Sequence, residues 1–226
     1  AFELVTKLKN KWIVIFDLDK TITKIDTYIP FLLLVLLSRP YRLIFTFSLP
    51  FYFLLYSCKI ISDTDLKLKF LKSIVSGIDE KKLHNLALKF VRVCYLFIFR
   101  KKAIKIINHH REKDAILILA SASFDFYVVP IANALKFDYV VSTQSCWSKT
   151  GKLVTGINGS NLKGESKLSA VKEILSDGIN KNNTITYTDH ISDLPLLKYA
   201  NQAYIVNPNS HMENVAKDNG FSVVFW

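Results

Sequence analysis

Short apolar runs punctuate the chain at residues 12–16, 115–120, 139–142, 184–187, 203–206 and 221–225. Each is a continuous run rather than an alternation, is too short for a helix, and stops at polar or turn residues. That pattern predicts strands buried on both faces. Helix-length segments between them, such as residues 163–175, predict an α/β fold with a parallel sheet. In such sheets ligands bind outside the carboxyl ends of the strands, so the polar residues just past each run are the candidates for chemistry.

The first two runs stand about a hundred residues apart, and the composition between them shifts. Residues 28–57 carry only two charged side chains, Arg39 and Arg42, whereas residues 59–114 are rich in lysine and helix formers. This predicts a helical insertion at 28–110 in a core built from 1–27 and 111–226. Within it the apolar stretches 29–37 and 43–56, parted by Ser38-Arg39-Pro40-Tyr41-Arg42, are each shorter than the ~20 residues of a membrane span. A single span over 28–57 would bury both arginines near the bilayer centre at about 2.5–3.5 kcal/mol each, and would put Asp17 on the opposite side from Ser121 and Asp189. A helical hairpin at 28–57 is expected instead, either re-entrant or interfacial, or packed inside the insertion; the many Phe and Tyr residues and the surrounding lysines favour the interface.

The chain of 226 residues, half of them apolar, is long enough for one large domain or a core with an insertion. Its net charge of +11 suits nucleic acid, anionic lipid or a phosphorylated substrate and separates none of them. Three dispersed cysteines, Cys58, Cys94 and Cys146, form no CxxC pair, so neither a zinc site nor a disulfide framework is expected and a reducing compartment is the simpler reading. Residues 1–10 lack the apolar core of a secretory leader, which points to the cytoplasmic side.

The stretch VIFDLDKTIT drives Asp17 and Asp19 onto the tip of the first strand. If strand geometry persists they point to one side, and two carboxylates there are costly unless a cation answers them. Past residue 120, Ser121-Ala122-Ser123 offers hydroxyls and backbone amides that can surround an anionic oxygen, or simply cap a helix. Lys163 and Lys167, in NLKGESKL, can neutralise a phosphoryl group or sit in solvent at a helix start. Asp189 and Asp193 stand four apart, on one face of a first helical turn, and add hard oxygen ligands suited to Mg²⁺; His190 between them reads as a loop residue.

Taken in order, these stretches resemble the haloacid dehalogenase superfamily. FDLDKTIT is similar to its first motif, Ser121 to the second, Lys163 or Lys167 to the third, and TDHISDLPLL to the fourth. The insertion after the first motif, and the ending LPLLKYANQAYIVNPN, resemble the phosphoserine phosphatase-like branch (subfamily IB). The resemblance implies a Rossmann-like core with a parallel sheet and an inserted helical cap of the C1 type. It also implies a phosphatase in which Asp17 is the nucleophile that becomes an aspartyl phosphate and Asp19 the proton donor and acceptor. Asp17, Asp189, Asp193 and the Asp19 carbonyl would hold Mg²⁺. Ser121, Ala122 and a lysine would hold phosphate, with Lys163 preferred because it sits like that of phosphoserine phosphatases, while Lys167 fits a GExK spacing. Thr188 stands where the fourth motif usually has glycine. Asp26 occupies a place where phosphoserine phosphatases have a substrate-contacting carboxylate, and can equally be a helix cap.

The apolar insertion further resembles phosphatases acting on lipid phosphates, the phosphatidylglycerophosphatase C type among them. The expectation is therefore an enzyme bound peripherally or monotopically to the inner membrane face, acting on a lipid phosphomonoester and not on nucleic acid. The alternatives are a soluble small-metabolite phosphatase, a phosphotransferase, or an inactive membrane-binding scaffold.

Overall fold

The computed structural model of the protein describes residues 11–175 and 183–226. The reading of residues 1–10 as lacking a leader lies outside the described residues. Among the described residues seven strands are formed: β1 (Ile13–Phe16), β2 (Ile116–Phe124), β3 (Tyr139–Trp147), β4 (Leu153–Asn158), β5 (Thr184–Thr188), β6 (Gln202–Val206) and β7 (Ser222–Val224). They make one sheet in the order β4-β3-β2-β1-β5-β6-β7. β1 lies in the middle, parallel to β2 on one side and β5 on the other, and its four side chains are fully buried. Side chains alternate across a strand. Val14 and Phe16 therefore enter one apolar cluster with Phe31, Phe90 and Tyr127, while Ile13 and Ile15 enter a second with Leu168, Val171 and Leu196.

The sheet differs from the all-parallel expectation at one edge, where β4 runs antiparallel to β3. Gly151, at φ +70°, turns that hairpin, a conformation L side chains rarely adopt. The half-exposed β4 lacks the buried run that marks the central strands β1, β2 and β5. It supports the inserted helices, since Gly77 N donates to Leu153 O at 2.8 Å and Leu153 N to Ile78 O at 2.9 Å.

Between β1 and β2 come α1 (Tyr28–Ser38), α2 (Leu43–Thr46), α3 (Leu49–Ser57), α4 (Asp63–Ile74), α5 (Glu80–Val93) and α6 (Lys101–Glu112). The chain leaves and re-enters the core side by side: Thr23 and Phe99 bridge, Lys24 N donates to Ile98 O at 2.8 Å, and Arg100 N to Ile22 O at 2.9 Å. Wide turns at Leu18–Ile22 and Cys94–Ile98 flank this neck. α4 is started by a reciprocal cap between Ser62 and Asp65.

The apolar stretch 28–57 is a bent set of helices, turning 114° between α1 and the segment that follows. Arg39 and Arg42 at the bend both donate to Ser76 O, at 3.3 and 2.5 Å, so their charges are folded back onto the protein. Among the described residues no single helix is long and apolar enough to cross a membrane. After β2 come α7 (Asp125–Ala134), α8 (Glu165–Leu175), α9 (Leu194–Tyr199) and α10 (Ser210–Asn219).

Candidate active site

The chain turns just after the two aspartates. Asp17 and Asp19 are extended, but Lys20 between Asp19 and Thr21 is left-handed at φ 57°. That costs a non-glycine residue energy, partly offset where Lys20 N donates to Thr23 Oγ1 at 3.0 Å and Thr23 N closes the turn on Leu18 O at 3.1 Å. β1 ends at Phe16, Asp17 N still donates to Tyr187 O of the neighbouring strand at 2.9 Å, and Asp17 and Asp19 line the same cavity.

Asp17 meets Lys167, from the first turn of α8. Lys167 Nζ lies 2.8 Å from Asp17 Oδ1 and 2.7 Å from Asp193 Oδ2, all three side chains being almost fully buried. Burial alone would lower the Lys167 pKa, but the two carboxylates overcome it and hold the ammonium charged, above its ordinary value. Burial pushes the Asp17 carboxyl well up; Lys167 pulls it down, while Asp193, Asp189 and Asp19 add to the rise. Thr188, at the end of β5 where the resembled motif has glycine, donates to Asp193 Oδ2 at 2.9 Å. Asp189 accepts from Thr21 Oγ1 at 3.3 Å, and burial raises its pKa to about 6 against the opposing charge of Lys20.

Asp19 has three donors of its own. Thr27 N and Thr27 Oγ1 reach Oδ1 at 2.7 and 2.6 Å, and Ser123 Oγ reaches Oδ2 at 2.8 Å. Burial, then the charge of Asp26, raises the Asp19 pKa, while the donors restrain it. Ser123 arrives because the β2–β3 register steps from Ser121 opposite Ser142 to Phe124 opposite Thr143, so that Ala122 and Ser123 bulge toward the site. Ser121 is buried beneath that bulge, its Oγ accepting from Ser123 N at 3.1 Å.

A cavity of about 360 Å³ opens over these groups. Asp17, Asp19, Ala122, Ser123, Lys167, Asp189 and Asp193 line it from the core; Tyr28 and Ile29 of α1 and Leu66, Lys67 and Phe70 of α4 line it from the insertion. Lys163 sits at the rim, paired with Asp63 of α4 at 2.6 Å with both side chains nearly half exposed. Asn161 Nδ2 donates to Thr64 Oγ1 at 3.0 Å beside it. Lys67 Nζ donates to Ala122 O at 2.6 Å and lies 4.3 Å from the Phe124 ring centre. Burial lowers its pKa to about 8 despite Asp19, Asp63 and Asp26. Asp26 is exposed at the cavity wall and accepts from Tyr28 N at 2.9 Å, which makes it part of the α1 start. His190 folds back on Ser192.

The candidates on either side of the third-motif ambiguity thus lie apart: Lys167 is in the floor and Lys163 bridges core to insertion. Nothing in the sequence marks Thr27, Lys67 or Asn161 as site residues, and Ser123 stands out there only as an anion-binding hydroxyl, not as a partner of Asp19. The triplet Ser121-Ala122-Ser123 carried the signal for Ser123. Nothing marked Lys67 among the neighbouring lysines of α4.

Among the described residues, no three Asp, Glu, His or Cys side chains form a cluster able to hold a metal ion by themselves. The donor set nevertheless fits a divalent cation. Asp193 Oδ1 is buried and has no hydrogen-bond partner, and Asp17 is crowded by three further carboxylates. Mg²⁺ characteristically takes one or two carboxylates and fills its octahedron with water and phosphate oxygens.

The haloacid dehalogenase-like hydrolase family model matches residues 14–198. The chain belongs to that family. It is 27% identical over 214 residues to a probable phosphatase of Mycobacterium tuberculosis, covering 92% of this chain and 73% of that protein. It is 24% identical over 137 residues to Protein CicA of Caulobacter vibrioides, covering 61% of each chain, so the match spans about three fifths of that relative's length. A substrate-bound phosphoserine phosphatase shares the fold, with TM-score 0.62, 17% identity, and coverage of 96% of this chain and 93% of that one.

Proposed function

We propose that the protein is a Mg²⁺-dependent phosphomonoester hydrolase working through an aspartyl phosphate on Asp17. The observation that carries this reading is the placement of Asp17 at the tip of β1, against Lys167 and open to the cavity, with Asp19 held separately by hydroxyl donors. An Asp17 carboxylate oxygen attacks phosphorus and the bond to the alkoxy leaving group breaks as Asp19 gives that oxygen a proton. Asp19 then takes a proton from water, the water oxygen bonds to phosphorus, and the Asp17–phosphate bond breaks. Both aspartates return to their starting states. Lys167 fixes the attacking carboxylate and, with the bulged Ala122 and Ser123, receives phosphoryl oxygens; Ser121 supports the bulge from below. Asp17, Asp189, Asp193 and the Asp19 carbonyl would hold Mg²⁺, which would supply neutralisation of charge on the transferring oxygens.

The substrate we favour is a lipid phosphomonoester of the phosphatidylglycerophosphate kind. The apolar side chains Ile29, Leu66 and Phe70 in the cavity lining support it. A second reading, a soluble phosphoserine-like metabolite, is supported by the charged Asp26 and Lys67 in the same cavity. Asp17→Asn should abolish Mg²⁺-dependent release of phosphate from an aryl phosphate, and unchanged turnover would refute the nucleophile. A screen with phosphatidylglycerophosphate, phosphatidate and phosphoserine separates the substrate readings.

A further inference from the structure

Residues 43–58 contain no charged side chain, and residues 27–62 contain no acidic one. In the folded protein this stretch is largely uncovered. Ile44 is 67% exposed, Phe47 84%, Phe51 59% and Leu54 58%; in α3 only Leu49 is buried. A helix apolar around its whole circumference needs cover on every side, and an exposed apolar surface of this kind marks an interaction site.

Three observations say what covers it. First, basic groups border the face: Lys69 lies 4.7 Å from the Tyr52 ring centre, and Lys59 is exposed at the end of the stretch. Second, the stretch returns to where it starts, because Tyr28 before it and Asp63 after it line the same cavity. Nine-residue α3 is roughly 14 Å long, far short of a bilayer core, so it lies along a surface rather than through one. Third, a second copy meeting this face symmetrically would bring like charges together, since the same patch is used on both sides. An anionic surface is the complementary partner.

We propose that the exposed face of 43–60 docks in the interfacial layer of an anionic phospholipid bilayer, with its Phe and Leu side chains among the upper acyl chains. Docked so, α1 and α4 hold the cavity mouth at the membrane surface. That orientation rests on the cavity being the phosphatase site; adsorption does not.

The test is co-flotation of the full chain with vesicles of phosphatidylcholine alone and of phosphatidylcholine with phosphatidylglycerol. Binding is expected on the anionic vesicles, weaker at high salt, and cut about tenfold or more in Phe47→Ser/Phe51→Ser. Aryl-phosphate turnover by that variant, equal to the parent's, checks that the fold is intact. Failure of the parent chain to float with anionic vesicles, equal flotation of the double variant, or a parent dimer that the double variant dissociates would each overturn the proposal. Flotation by a parent that releases no phosphate from any phosphomonoester would refute the phosphatase reading while leaving the docking face in place.

Discussion

Lys167 and Asp17, 150 residues apart in sequence, meet at 2.8 Å in the buried floor of the site. The same ammonium continues to Asp193 at 2.7 Å. One cation thus ties α8 to the tip of β1 and to the turn after β5.

Lys167→Met leaves two carboxylates buried without their partner. Removing one side of such a pair costs about 3–5 kcal/mol, and urea unfolding without added metal should register a loss of that order. Lys163→Met, which breaks a half-exposed pair, should cost no more than about 1 kcal/mol. Equal losses in the two variants would contradict the division between floor and rim.

Asp19 is oriented by donors from two directions. Asp19→Asn should lower kcat by about 10²–10⁴, the usual yield of positioned proton transfer. Thr27→Val should lower kcat less, leave KM nearly unchanged, and be restored by Thr27→Ser; Ser123→Ala should lower kcat less but also raise KM, because Ser123 receives phosphoryl oxygens, and be restored by Ser123→Thr. Steady-state turnover of an aryl phosphate measures all of these.

Lys67 is held at about 8, below its ordinary 10.5. It is charged at neutral pH and loses its charge as pH rises through about 8. KM for an anionic phosphomonoester should therefore climb above that pH, and Lys67→Met should show a higher KM without this step. For folding the sign is opposite. The cost of burying the charge is present in full below pH 8 and fades as pH rises toward 10.5, because there the unfolded chain binds more protons than the folded one. The slope of unfolding free energy against pH in that window should be more positive in the parent than in Lys67→Met.

Chelation should abolish turnover and re-added Mg²⁺ restore it. Mg²⁺ at a hundred times its dissociation constant should stabilise the fold by about 2.7 kcal/mol, read as a rise in thermal midpoint. Asp193→Asn should blunt that rise.

Most of the sheet is legible in the chain because a strand buried on both faces must be apolar at every position, as Ile13–Phe16 is. The edge strand β4 is not, since only one side of it meets the core and its composition resembles a loop. Asp17, Asp19, Asp189 and Asp193 can be picked out because acidic residues directly after apolar runs need a reason to be there. Thr27 and Lys67 cannot: a threonine eight residues past Asp19 and one lysine among several acquire meaning only when the neck and α4 fold over the cavity.

By itself, then, the amino-acid order determined the apolar runs that become strands, the helices between the first two of them, and the acidic residues that follow those runs. Those are local facts, written in which side chains tolerate burial. The tertiary structure decided which lysine enters the floor, which hydroxyls hold Asp19, and which face of the apolar stretch 28–57 is left uncovered. Each depends on where one element lands on another, and neighbouring lysines or leucines are chemically alike until packing buries one and leaves the next in water.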